Sequence, residues 1–289
     1  MESRRLVDSS VADRAEQAAD RAARNSEVSV LIIEGADDLR AVNDLFAEIW
    51  AADGADPVMN TSILTALTHT GNYVAGAFRG DQVVGGSVGF LGRRDSHMHL
   101  HSHMTGIAPS QQGRSIGFAL KQHQRAWALF QGIDEVTWTF DPLVGRNGYF
   151  NISKLGAEIV DYHENFYGRM SDAVNRDDES DRCLVAWDLR SDRVVAAAEG
   201  QGRLATADLS EAKPLLDKDT SGMPVLTRVE AAVLTALVPK DIVRVRAERP
   251  DEAVAWRRAL RSGLRWALAR GYTVTSMTRD GRYVLTRPE

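Results

Sequence analysis

The chain of 289 residues has one cysteine, Cys183. That excludes an intrachain disulfide framework and fits a reducing compartment. It has no apolar run of membrane-spanning length, and its beginning is too charged for a secretory signal, so the expected location is the cytoplasm. Positive charge is not in excess: 35 Lys and Arg stand against 40 Asp and Glu, a formal net charge of -5. This argues against a nucleic-acid or anionic-membrane partner. Its one conspicuous Gly turn lacks the Lys-Ser or Lys-Thr of a P-loop and is not a G-x-G-x-x-G loop.

What is present is ordinary globular material, 44% hydrophobic and 26% charged, with length enough for a sizeable core. The length exceeds that of a usual single domain, so one main domain and a smaller appendage are expected. The boundaries fall near residues 26 and 190. Residues 1–26 are charged and Ala-rich and read as a frayed helix or mobile arm, 27–190 form the main domain, and 191–289 form the appendage.

The main domain is organised around His97–Lys121. An alternating strand ends in Met104, Thr105, Gly106 and Ile107, Pro109 breaks it, and a helical apolar rhythm begins at Ile116. Between them lies Gln112-Gly113-Arg114-Ser115-Ile116-Gly117. Glycines at a helix entrance let several backbone N–H groups converge, with the positive end of the helix dipole behind them, so the turn suits an anion such as a pyrophosphate.

Other elements follow from periodicity. Val28–Ile33 reads as a strand, Asp37–Trp50 and 57–69 as helices, Asn72–Phe78 and Val83–Leu91 as a hairpin, and Asp134–Phe140 as a strand. Gly85, Gly86 and Gly89 suggest a bulge or a close backbone approach. Asn147–Leu155 reads as a short helix closed by Gly156, and 157–190 as a final hairpin. In the appendage, AAAEGQGRLATADLS reads as a linker or weak edge segment. After it come a strand over Ile242–Ala247, a helix over Asp251–Arg270, and a hairpin of Val274–Met277 with Tyr283–Thr286.

The strand end and turn, with this order of elements, resemble the GCN5-related N-acetyltransferase (GNAT) superfamily. Its acyl-CoA motif is Gln/Arg-x-x-Gly-x-Gly/Ala, and here Gln112, Ser115 and Gly117 stand at those places, Ser115 replacing the middle Gly. The segment NGYFNISKLG is similar to the family's Asn-to-Lys-x-Gly helix, which implies that Asn147 hydrogen-bonds the cofactor. The resemblance spans residues 27–190. It implies an α+β fold with a mixed, mostly antiparallel central sheet flanked by helices, here followed by a small strand-helix-hairpin unit. It also implies acyl-CoA as cosubstrate, with no permanently bound cofactor or metal, and an amine acceptor. Within the superfamily the phrases WTFDPL, FNISKLG and NFYG look most like a less studied acyltransferase group, for which acetyl and succinyl transfer are both open.

Acyl transfer from a thioester needs a free amine, a donor for the developing oxyanion and a proton for the leaving thiolate. The family's oxyanion donor is a strand backbone N–H, which points by position to Thr105, Gly106 or Ile107. The Tyr that many GNAT enzymes use as acid is replaced by Ile152, leaving Tyr149 on the same short helix, and Tyr162 and Tyr167 beyond it, as candidates or as packing aromatics. His97, His99, His101 and His103 alternate and so share a strand face. His101 or His103 could take the amine proton, while a metal site or half-buried structural histidines are the other readings. Cys183 reads as a buried structural thiol, and Asp181, Arg182 and Arg146 as surface charges or ion pairs. The first functional expectation is therefore an N-acyltransferase acting on a small amine or amino acid. The second is a non-catalytic acyl-CoA-binding sensor or assembly module, and the third is acetylation of a protein. A homodimer is the assembly left open.

Overall fold

The computed structural model describes residues 2–50, 59–168, 178–200 and 208–287. In chain order its elements are α1 (Glu2–Asn25), β1 (Ser29–Ile32), α2 (Ala36–Trp50), α3 (Thr61–His69), β2 (Tyr73–Arg79), β3 (Gln82–Arg94), β4 (His97–Ile107), α4 (Ile116–Phe130) and β5 (Glu135–Phe140). Next come α5 (Gly145–Gly148), β6 (Glu158–His163), β7 (Arg182–Asp188), α6 (Asp192–Glu199), β8 (Lys213–Lys218), β9 (Pro224–Leu226) and β10 (Val233–Leu237). The chain closes with α7 (Ile242–Glu248), α8 (Pro250–Leu268), β11 (Thr273–Met277) and β12 (Arg282–Thr286). By contacts it divides into two units, residues 1–138 with 188–199, and residues 139–187 with 200–289, a different cut from the sequence boundaries at 26 and 190. Among the described residues no helix is long and apolar enough to cross a membrane.

The first unit is built on the strand order β1-β2-β3-β4-β5, antiparallel from β1 to β4 and parallel between β4 and β5. Leu39, Val42, Leu45 and Phe46 recur at helical spacing on α2 and are buried, and Leu39, Val42 and Phe46 pack with Leu64 of α3 against Val74, Val88 and Met104. A Cβ on Gly86 would lie 2.9 Å from Val42 Cγ1, so glycine there is what lets α2 lie so close to β3. The helix expected over 57–69 begins later, at Thr61, because Asn60 caps it by accepting from the backbone of Ser62 at 2.7 Å; residues 57 and 58 lie outside the described residues. On the opposite face Ile116 and Leu120 of α4 pack with Ala77 and Val84.

Of the two readings of residues 1–26, helix or mobile arm, Glu2–Asn25 takes the helical one. α1 buries Ala12, Ala15, Ala18, Ala19 and Ala22 and packs on α4. Alanines permit a close helix-helix approach that needs no large apolar side chains.

The second unit holds α5, the antiparallel pair β6 and β7, and a five-stranded sheet of order β11-β12-β10-β8-β9, in which β8 and β10 run parallel. The appendage is thus larger than the strand-helix-hairpin unit expected. Two corrections account for this. Ile242–Ala247 is not a strand: Asp241 caps a helix by accepting from Arg244 N at 3.0 Å, and Ile242, Val245 and Arg246 are buried at helical spacing. The sequence also gave no warning of β8, β9 and β10, which are short and carry little alternation. The stretch read as a linker begins as the end of α6, and residues 201–207 lie outside the described residues.

Candidate functional site

β3 and β4 pair along their length with one irregularity. The register steps from Val88–Met104 to Gly89–Ser102, leaving His103 without a partner of its own. This β-bulge re-aims the strand. Phe90 lies 5.2 Å from the His101 ring and 5.7 Å from the His103 ring, so these two histidines share a face as the alternation predicts. Met104 joins the α2 core, while Ser102 and Thr105 turn to the α4 side, Thr105 Oγ1 lying 2.9 Å from Ser87 Oγ.

The ladder between β4 and β5 is short. It pairs Leu100 with Val136 and His101 with Thr137, and β4 then continues to Ile107. Past His101 the two strands fork. The edge of β4 from Ser102 to Ile107 thereby offers backbone donors and acceptors to an extended ligand. Gly106 also fits a close approach: a Cβ there would sit 2.7 Å from Ile49 Cδ1 and from Trp50 Cη2.

β4 leads through a 3-10 turn, Pro109–Gln111, into the anion-sized turn. The Gln111 side chain accepts from Arg79 Nη1 at 2.5 Å and ties the turn to β2. Gln112, Gly113, Arg114 and Ser115 are exposed. Gly113 has φ +82° and Ser115 φ +61°. Left-handed residues alternating with an ordinary one tilt successive N–H groups toward a common side, the arrangement of an anion nest. Among the described residues the N–H groups of Gly113 to Gly117 donate to no backbone acceptor, and they stand at the N-terminus of a 15-residue helix. Ser115 takes the conformation that glycine takes freely, at a local cost of about 1 kcal/mol. Ser115→Gly is therefore expected to change stability by less than about 0.5 kcal/mol, relief of strain being offset by the freer unfolded chain, whereas β-branched Ser115→Val costs about 1–2 kcal/mol more than glycine. Urea denaturation of the two variants checks this.

Electrostatics separate the two histidines. Burial, then the charges of His103, His99 and Lys121, push His101 down to about 4, and its Nδ1 is engaged with Thr137 Oγ1 at 3.1 Å. His103, although exposed, is lowered only by partial desolvation of its ring against its neighbours. Among the described residues no group of three or more His, Cys, Asp or Glu is arranged to hold a metal ion.

Met104 to Ile107 and Gln112 to Gly117 are thus brought together in one unit with His101 and His103. Asn147 and Tyr149 belong to the second unit. Asn147 is exposed on α5, and the Tyr149 hydroxyl accepts from Arg279 Nε at 3.3 Å. Of the other tyrosines, Tyr162 is buried and donates to Asp181 Oδ2 at 2.5 Å, and Tyr167 is half exposed beside Phe166. Asp181 and Arg182 are buried rather than surface charges, Asp181 being paired with Arg261. Cys183 is fully buried and its thiol is pushed up by that burial, so thiol reagents are expected to label it only after unfolding.

No protein-family model matches the chain, and no curated protein matches it either. Solved structures do. The chain is similar to Naa50 of Arabidopsis thaliana in complex with a bisubstrate analogue, CoA-Ac-MVNAL, at 21% identity over 55% of this chain and 97% of that one, with a TM-score of 0.44. It is similar to the ribosomal-protein-S18-alanine N-acetyltransferase of Escherichia coli at 12% identity, over 57% and 95% of the two chains, with a TM-score of 0.46. An N-acetyltransferase of Staphylococcus aureus Mu50 matches at 15% identity over 56% and 99%, with a TM-score of 0.46.

Two features of the first unit escaped the sequence. One is the buried Lys121, and the other is that the bulge falls at His103. Nothing in FALKQHQ marks the first, since a lysine on an amphipathic helix is ordinarily solvated. The glycines of β3 hint at the second.

Proposed function

We propose that this chain is an acyl-CoA-dependent N-acyltransferase that moves an acetyl or succinyl group to the amine of a small molecule or amino acid by direct attack. The observation that carries the reading is the continuity of three parts: the fork of β4 from β5, the β4 edge that β5 leaves unpaired, and five N–H groups at the entrance of α4. A pyrophosphate fits the entrance, with Arg114 as a side-chain partner, and an extended pantetheine arm fits the edge. The thioester carbonyl then lies along Met104–Ile107, where a backbone N–H of Thr105, Gly106 or Ile107 stabilises the oxyanion. Asn147 is the residue the resemblance assigns to the cofactor from the following segment. The working location is the cytoplasm, as the single buried thiol suggests.

The acceptor's amine must lose a proton. His103, exposed on the bulge, suits this task better than His101, whose low proton affinity and bond to Thr137 make transfer uphill at neutral pH. Replacing His103 by asparagine is expected to lower thiol release from acetyl-CoA about a hundredfold, and His101→Asn by much less. Equal losses, or none, would remove His103 from the role. Tyr149 remains the candidate proton donor to the departing thiolate, and a Phe at that position tests it.

A second reading keeps the binding and drops the turnover: an acyl-CoA sensor or assembly module. Ile152, fully buried at the position where the family carries its acid, is what favours it. Thiol release over a panel of amines separates the two. For either, Gly117→Trp puts an indole over the N–H groups at the helix entrance and is expected to weaken acetyl-CoA binding at least a hundredfold; calorimetric titration reads the loss, and unchanged affinity removes this turn from the site.

A further inference from the structure

Lys121, on the second turn of α4, is 4% exposed. Among the described residues no carboxylate lies within ion-pair distance of it. Instead its Nζ donates to Ser102 Oγ at 2.8 Å and to Gln124 Oε1 at 3.0 Å, and sits 3.9 Å from the centroid of the Trp138 ring. Ser102 is on β4 and Trp138 on β5. The last rungs of the ladder between those strands are Leu100–Val136 and His101–Thr137. Ser102 and Trp138 are the residues that would form the next rung. The amino group therefore grips both strands at the step where they part.

The grip extends further along β4. Gln124 donates through Nε2 to Ser87 Oγ at 3.5 Å, and Ser87 is hydrogen-bonded to Thr105 at 2.9 Å. A buried polar chain thus runs from the root of the fork to one of the candidate oxyanion donors. An unpaired lysine in this setting costs stability, since burial disfavours the ammonium. Methionine would fill nearly the same volume with no such cost.

We propose that Lys121 is a positioning residue that fixes the fork between β4 and β5 and, through Gln124 and Ser87, the seat of Thr105. The proposal rests on the acyl-CoA reading of the fork for its functional meaning, while the structural part stands by itself. It assigns Lys121 no contact with substrate.

The test compares the wild-type protein with Lys121→Met, Ser102→Ala and the double variant, each by acetyl-CoA titration, thermal denaturation without ligand, and amide exchange along residues 101–107 and 136–138. Lys121→Met is expected to melt at the wild-type temperature or above it, to bind acetyl-CoA at least tenfold more weakly, and to exchange those amides at least tenfold faster. Ser102→Ala shows a smaller loss in the same direction. The double variant is no worse than Lys121→Met, because both changes remove the same contact. Unchanged affinity and exchange in Lys121→Met would overturn the proposal, and so would a melting temperature that falls in step with affinity, the mark of a merely structural residue. If the wild-type protein itself fails to bind acetyl-CoA, the acyl-CoA reading falls, and amide exchange alone decides whether Lys121 fixes the fork.

Discussion

Replacing Arg257 by alanine is expected to destabilise the second unit by about 3–5 kcal/mol, because it leaves two buried carboxylates short of a partner. Arg257 and Arg246 are 1% and 4% exposed. Arg257 Nη1 donates to Asp141 Oδ1 at 2.6 Å, and its Nη2 reaches Asp141 Oδ2 and Asp178 Oδ2, each at 2.9 Å. Arg246 adds bonds of 2.5 Å to Asp141 and 3.0 Å to Asp178. Burial alone would raise the Asp141 carboxyl, but the charge and hydrogen bonds of Arg257, then the charge of Arg246, hold it well below the usual carboxylate range. A carboxylate with a depressed folded pKa gives stability that is present above its unfolded value near 4 and lost as pH falls below that. The loss on Arg257→Ala is large against a typical stability of 5–15 kcal/mol, so urea unfolding at pH 7 reads it directly. A change under about 1 kcal/mol would mean that the pairs are solvated.

Raising pH from about 7 to about 10 is expected to stabilise the wild-type protein through Lys121 by on the order of a few kcal/mol, relative to Lys121→Met. Burial lowers its amino group from 10.5 to about 7. Below about pH 7 the group is charged in both states, and the folded state bears the full desolvation cost. Between about 7 and 10.5 the unfolded chain holds the proton that the folded one has released, so stability rises with pH. Above 10.5 neither state is charged and the cost is gone. The neighbours do not titrate in this window: Ser102, Gln124 and Trp138 are neutral, and His101, depressed to about 4, is already uncharged. Denaturant unfolding of both proteins at pH 7 and pH 10 checks the prediction; equal pH dependence in the two would show that Lys121 is not desolvated.

The β4 strand and the turn after it were legible because each is marked by local chemistry. Alternation from His97 to Ile107, the break at Pro109 and the glycine at 113 leave few other ways to fold that stretch. The helices of the first unit follow from Leu39, Val42, Leu45 and Phe46, and from Ile116 and Leu120, for the same reason. What was hidden depends on partners remote in sequence. Ile242–Ala247 reads as a strand because Ile242, Val243 and Val245 are all β-branched. It folds as a helix because Asp241 caps it and Arg246 reaches two aspartates more than 60 residues away. Tertiary partners override a β-branched preference there. Lys121 was hidden similarly, since two of the three groups around its amino group, Ser102 and Trp138, come from β4 and β5. Of the candidate site, the β4 edge and the turn were readable, whereas the division of labour between His101 and His103 depended on Thr137 and the bulge.

We propose that the fork and the turn of the first unit hold an acyl-CoA. A thermal-shift titration with acetyl-CoA, succinyl-CoA and free CoA tests it most directly, because a ligand that binds only the folded state raises stability, by about 2.7 kcal/mol at a hundredfold excess over its Kd. A saturable rise in melting temperature is expected with at least one of the acyl-CoAs, abolished in Gly117→Trp. No rise with any of the three at millimolar concentration would overturn the proposal and leave a fold whose Ser115 turn holds no pyrophosphate.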